Sequence, residues 1–209
     1  MGVDVLTRMF VKFSLLLATL SLLLFTSGSY GAELVAKKPA AVPGMHASKR
    51  VRLTTDMGNI TLLLYPEKAP VTVKNFLDYV DSGFYNGVIF HRVKPNFVVQ
   101  TGGLTFDFIR KETLDPIVNE STNGLKNLPG TVAMARFTDP DSATSQFFIN
   151  LKHNKTLDAT KKKPGYTVFG RVLIGMDVAF NITKEPRGLY RGQPEAPNVP
   201  IRILKAERI

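Results

Sequence analysis

Between Arg50 and Ile209 the hydrophobic period switches from strand to helix only twice, which leaves little choice of architecture. The run "VRLTTDMGNITLLLY" alternates apolar and polar residues on both sides of Met57-Gly58, and so predicts a hairpin. In "APVTVKNFLDYVDSGFY" the period changes. Val73, Phe76, Leu77 and Val80 fall at helical spacing, with Pro70 near the start and Gly83 at the end. A shorter helical pattern, "MDVAFNITK", follows Gly175 and places Met176, Val178, Ala179 and Ile182 together. Strands are predicted over 88–92, 96–101, 131–136, 145–150, 166–173 and 199–207. Strands and helices do not alternate regularly, which argues against a doubly wound parallel sheet. An antiparallel barrel or sandwich with two helices over its openings fits better. Residues 104–130, rich in Asn, Thr and Gly, read as a long surface loop of a kind that is often functional.

The chain before Arg50 reads differently. Arg8 and Lys12 precede an apolar run from Phe13 to Phe25, and small residues follow at Ser27, Gly28, Ser29, Gly31 and Ala32. This is the layout of a secretory signal peptide over 1–32, and the apolar run itself is too short for a membrane span of about 20 residues. An uncleaved anchor is the alternative, because Tyr30 spoils a small-x-small cleavage site. Residues 33–49 carry Ala, Pro and Lys without apolar periodicity and read as a flexible linker, with a lone surface histidine at His46. The domain proper is 50–209.

The sequence has no cysteine, which excludes disulfides, thiolate metal sites and a cysteine nucleophile. The net charge of +10 raises the question of nucleic acid or an anionic surface. The basic residues are scattered, apart from Lys37-Lys38, Lys49-Arg50 and Lys161-Lys162-Lys163, so a solvated basic surface is the simpler reading and no nucleic-acid partner is expected. No G-x-S-x-G is present, His91 and His153 have no triad spacing, and three dispersed histidines do not make a metal site.

One stretch resists a purely structural reading. In "FHRVKPNFVVQTGG" Arg92 and Gln100 lie eight residues apart on two predicted strands, with Phe97 and Val98 between them. "TVAMARF" and "ATSQFFIN" add Met134, Ala135, Gln146, Phe147 and Phe148. An apolar floor with a few polar groups is the composition of a small-ligand pocket. Arg92 paired with a surface carboxylate over a plain aromatic core is an equal alternative.

"FHRVKPNFVVQTGG", "GTVAMAR…DSATSQFFIN" and "TVFGRVLIGMDV" together resemble the cyclophilin family of peptidyl-prolyl cis-trans isomerases, from about Val51 to Leu204. With the leader and "MARFTDPDSATSQFF", the chain is most similar to exported bacterial members. The resemblance implies a mainly β fold: a closed eight-stranded antiparallel barrel capped by two helices. It implies a catalytic Arg92, and a Gln100 that hydrogen-bonds the substrate backbone. It implies a proline pocket on Phe97, Val98, Phe148 and Leu157. Ala135 and Arg136 match the strand edge that pairs with bound peptide, Gln146 lines the same groove, and His91 matches with an orienting or a catalytic role. Thr156 stands where eukaryotic members carry tryptophan, Tyr166 where they carry a rim histidine, and Arg136 where they carry asparagine. The missing tryptophan implies weak cyclosporin binding. The implied activity is isomerisation of X-Pro bonds in unfolded or nascent exported polypeptides, by a periplasmic monomer without cofactor or metal. A proline-peptide binding module or chaperone with incidental turnover is the alternative.

Overall fold

The computed structural model describes residues 49–209. The leader over 1–32, His46 and all of the expected linker except Lys49 lie outside the described residues.

Eight strands form one antiparallel sheet: β1 Arg50–Thr55, β2 Gly58–Leu64, β3 Arg92–Lys94, β4 Val98–Thr101, β5 Thr131–Met134, β6 Phe147–Asn150, β7 Val168–Ile174 and β8 Ile203–Arg208. Their order is β3-β4-β6-β5-β7-β2-β1-β8. The β1–β2 hairpin closes where expected, pairing Thr55 with Gly58. Gly58 has φ +122°, which a side-chain-bearing residue rarely adopts, and Thr55 Oγ1 donates to its carbonyl at 2.7 Å.

Both helices form at the predicted places. Helix α1, Pro70–Asp81, starts on its proline and buries Val73, Phe76, Leu77 and Val80. The 104–130 segment is an irregular stretch, as the composition implied, but it is pinned at its centre. The Glu120 carboxylate accepts from the Val71 and Thr72 N–H groups at 3.1 and 2.8 Å, placing an anion on the N-terminus of α1. Helix α2, Met176–Ile182, follows Gly175, whose φ is +95°. A Cβ at Gly175 would stand 2.3 Å from the Asn59 carbonyl oxygen.

The sheet curls into a half-barrel, and no ladder joins its terminal strands β3 and β8. One expectation needs correction: the strand predicted over 88–92 is displaced, because β3 is only Arg92–Lys94. Val88, Ile89 and Phe90 are buried as a strand's would be, but their main chain bonds elsewhere. Ile203 N–H donates to the Val88 carbonyl, Phe90 N–H to that of Ile201 and Ile89 N–H to that of Leu104. Apolar periodicity reports burial, not which strand supplies the partner.

The pleat sorts side chains onto two faces. Val99, Val132, Phe147 and Ile149 point into the main core with Phe76 and Phe169. Their chain neighbours Val98, Ala133 and Phe148, with Val168, form a second, smaller apolar cluster.

Candidate active site

Val98 and Phe148 of the second cluster form the floor of a cavity of about 330 Å³. Strand pairing builds its walls. Arg92 on β3 stands directly opposite Gln100 on β4, and Gln100 opposite Phe148 on β6. Phe97 and Val98 enter from the start of β4, and Ala135 and Arg136 from just beyond β5. Leu157 and Tyr166 close the far side, with Tyr166 N–H donating to the Leu157 carbonyl at 2.9 Å. The rings of Phe148 and Tyr166 meet edge to face, with centroids 5.7 Å apart.

Nine of the eleven residues expected at the site therefore line one cavity. Gln146 lines a neighbouring cavity of about 390 Å³ that shares Gln100, Ala135 and Arg136 with the first. The Gln100 amide donates to Gln146 Oε1 at 3.0 Å and so links the two. His91 lines neither cavity.

Ala135 donates its N–H to the Gln146 carbonyl, so half of this edge is already used within the protein. The Ala135 carbonyl and the Arg136 N–H have no hydrogen-bond partner among the described residues, which suits them to an extended ligand. The Arg136 side chain is committed elsewhere. Its guanidinium lies over the Tyr166 ring at 4.8 Å and donates to the carbonyls of Gly165 and Phe137.

Behind the floor runs a chain of buried amides. Asn154 donates to Asn150 and to the Phe97 carbonyl, Asn150 to Asn127, and Asn127 to the Asp158 carboxylate. Partial burial pushes the Asp158 carboxyl up, but the Asn127 hydrogen bonds and His153 outweigh it, so it stays below the ordinary aspartate value. The network fixes Phe97 and Leu157 without placing a charge on the floor.

The surroundings of Arg92 combine features of the two readings that the sequence left even. Arg92 lines the cavity, and it pairs with a carboxylate, Glu195, whose Oε2 accepts from Nε at 2.5 Å. Lys94 Nζ lies 3.6 Å from the other oxygen. Partial burial pushes the Glu195 carboxyl up, but the Arg92 hydrogen bond and charge outweigh it, so its pKa lies below the ordinary glutamate value. Glu195 was not among the expected site residues. Its only signal was a single acidic residue among the prolines of "QPEAPNVP".

His91 is partly buried, and its Nδ1 has no hydrogen-bond partner among the described residues. Burial lowers its imidazole to about 4 from an ordinary value of 6.5. It is therefore neutral at pH 7. Between pH 6.5 and 4 the unfolded chain binds a proton that the folded chain refuses, so stability falls as the pH falls. From pH 7 to pH 5 His91 should remove about 2 kcal/mol. Urea unfolding of wild type and His91→Gln at both pH values tests this: the wild type should lose that much more. Equal losses would rule out a neutral, desolvated His91.

Among the described residues no group of three His, Asp or Glu side chains could hold a metal ion.

A family model described as cyclophilin type peptidyl-prolyl cis-trans isomerase/CLD matches residues 50–208. The chain is 54% identical over 155 residues to a peptidyl-prolyl cis-trans isomerase A of Dickeya dadantii, covering 73% of this chain and 82% of that protein. It is 48% identical over 161 residues to a peptidyl-prolyl cis-trans isomerase of Acinetobacter baylyi, covering 77% and 86%. In fold it is similar to the crystal structure of a Cryptosporidium parvum cyclophilin type isomerase in the presence of the dipeptide Ala-Pro. The TM-score there is 0.64 at 24% identity, covering 77% of this chain and 98% of that one. The chain belongs to the cyclophilin-type peptidyl-prolyl cis-trans isomerases.

Proposed function

We propose that the 330 Å³ cavity holds the proline ring of an X-Pro peptide while Arg92 stabilises the twisted bond, and that the substrates are unfolded exported polypeptides. One juxtaposition carries the reading. A guanidinium and an amide stand opposite each other on β3 and β4, at the mouth of an otherwise apolar floor.

Rotation about X-Pro meets a barrier of roughly 20 kcal/mol, because the amide is partly a double bond. The uncatalysed rate is then on the order of 0.01 per second. No covalent step is needed. At the top of the barrier conjugation is lost, and the proline nitrogen carries a free lone pair. Arginine stays protonated and offers a planar fork of donors to that lone pair. Gln100 and the Ala135–Arg136 edge hold the flanking backbone, so binding favours the twisted state. Phe97, Val98, Phe148 and Leu157 hold the ring. Tyr166 forms the rim. An assay of cis-to-trans conversion in an Ala-Pro peptide tests the function, and a rate no faster than the uncatalysed one would overturn it.

A proline-peptide binding module needs the floor but not a donor aimed at the ring. The retained Arg92–Gln100 pair therefore favours turnover over binding alone. The segment 1–32 supports export to the periplasm, and a monomer is the simplest state for a site built within one chain. We also infer that residues 87–90 complete the curl into a closed barrel, because their main chain bonds to Ile201 and Ile203.

Cyclosporin binding should be weak, because exposed Thr156 stands beside Leu157 where a tryptophan would add an aromatic contact. Thr156→Trp should tighten it about ten-fold or more, read by calorimetry. Unchanged affinity would mean that position 156 does not face that ligand.

A further inference from the structure

Glu195 sits in the loop between α2 and β8, 103 residues from Arg92 along the chain. It does not line the cavity that Arg92 enters. It is nevertheless tied to β3 twice. Its carbonyl accepts from the Val93 N–H at 2.6 Å, and its carboxylate accepts from Arg92 Nε at 2.5 Å. β3 is a terminal strand of the sheet, and the Glu195 loop covers its open edge.

The point of attachment matters. Nε is the inner nitrogen of the guanidinium. A carboxylate there fixes the plane of the fork while leaving the outer NH1 and NH2 donors free of Glu195. NH1 reaches Gln100 Oε1 only at 3.4 Å, a long contact that a better acceptor could replace. Arg92 is also partly exposed, and a long side chain with that much room samples many rotamers unless it is tethered. The Phe97 ring, 5.9 Å from the guanidinium carbon, supports the same orientation from below. The carboxylate does not neutralise the site, because Lys94 shares it and the local sum of Arg92, Lys94 and Glu195 stays positive.

We propose that Glu195 is a positioning residue for Arg92, its carboxylate clamping the Nε side of the guanidinium so that the NH1 and NH2 donors stay turned toward the proline cavity. The proposal rests on Arg92 being the donor to the rotating bond. Glu195 touches no substrate; it acts through the arginine. It raises the fraction of enzyme whose donor is in place, and so belongs to kcat rather than to the binding of the proline ring.

A double-mutant cycle with exchange NMR on an Ala-Pro peptide separates kcat from KM. Glu195→Ala should lower kcat roughly three- to ten-fold with KM within about two-fold. Glu195→Gln should fall between it and wild type, since its amide oxygen still accepts from Nε without the charge. In an Arg92→Ala background, Glu195→Ala should change kcat by less than about 1.5-fold, because the clamp then has nothing to hold. Exchange of the Arg92 Nε proton with water should be faster in Glu195→Ala than in wild type. An unchanged kcat in Glu195→Ala, a loss confined to KM, or equal losses in both backgrounds would overturn the clamp. If Arg92→Ala alone leaves kcat intact, the donor role of Arg92 fails instead, and an unchanged Nε exchange rate would then overturn the clamp independently.

Discussion

Arg92→Ala should lower kcat/KM on an X-Pro peptide by roughly 10- to 150-fold while the protein stays folded. The range is the worth of one charge-assisted hydrogen bond, about 1.5–3 kcal/mol, converted at about 1.4 kcal/mol per factor of ten. Stability should change little. The Arg92 side chain is 37% exposed, and Glu195, 35% exposed, remains hydrated and keeps Lys94 as a partner. No buried charge is orphaned, so the usual penalty for breaking an ion pair is absent. Arg92→Lys should recover little of the lost rate. An ammonium keeps the charge but lacks both the Nε that Glu195 holds and the outer fork that faces the ring. Kinetics at several peptide concentrations, beside an urea unfolding curve for each variant, decide the matter. Wild-type kcat/KM in the folded alanine variant would remove Arg92 from the mechanism.

The site was legible in the sequence to the extent that it obeys the pleat. Phe147 and Phe148 are adjacent in the chain, and period two alone sends one to the main core and the other to the cavity floor. The same rule, with register, sets Arg92 opposite Gln100 once Lys94 and Val98 pair. The long motifs carried the rest. What stayed hidden depends on contacts made across great stretches of chain. Glu120 reaches α1 over 48 residues, and Glu195 reaches Arg92 over 103. A lone carboxylate in an irregular segment has no period to betray its partner. The place of residues 88–90 was hidden for the same reason: it is decided by what Val88 and Phe90 bond to, not by how apolar they are. The burial of His91 was equally invisible, because an imidazole beside an arginine reads the same whether solvated or not.

Phe76→Ala should cost about 3–5 kcal/mol of folding free energy, against a total of roughly 5–15 kcal/mol for a domain of this kind. Phe76 is fully buried on the inner face of α1. Its ring meets those of Tyr85, Phe147 and Phe169, with centroids 5.3, 5.3 and 5.1 Å away. These partners come from the segment after α1, from β6 and from β7, so the cavity left by truncation lies where the helix seals the sheet. Rigid strands on two sides limit collapse, which places the loss toward the upper end of the range. Activity should respond differently. Phe147 backs the main core, whereas Phe148 lines the 330 Å³ cavity from the other side of β6. The folded fraction of Phe76→Ala should therefore isomerise X-Pro bonds at close to the wild-type rate. Urea unfolding with activity measured per folded molecule separates the two effects. A loss below about 1 kcal/mol would mean that the aromatic cluster repacks around the gap. A large fall in activity per folded molecule would mean that the two faces of β6 are not mechanically independent, and that the helix helps to shape the catalytic floor it never touches.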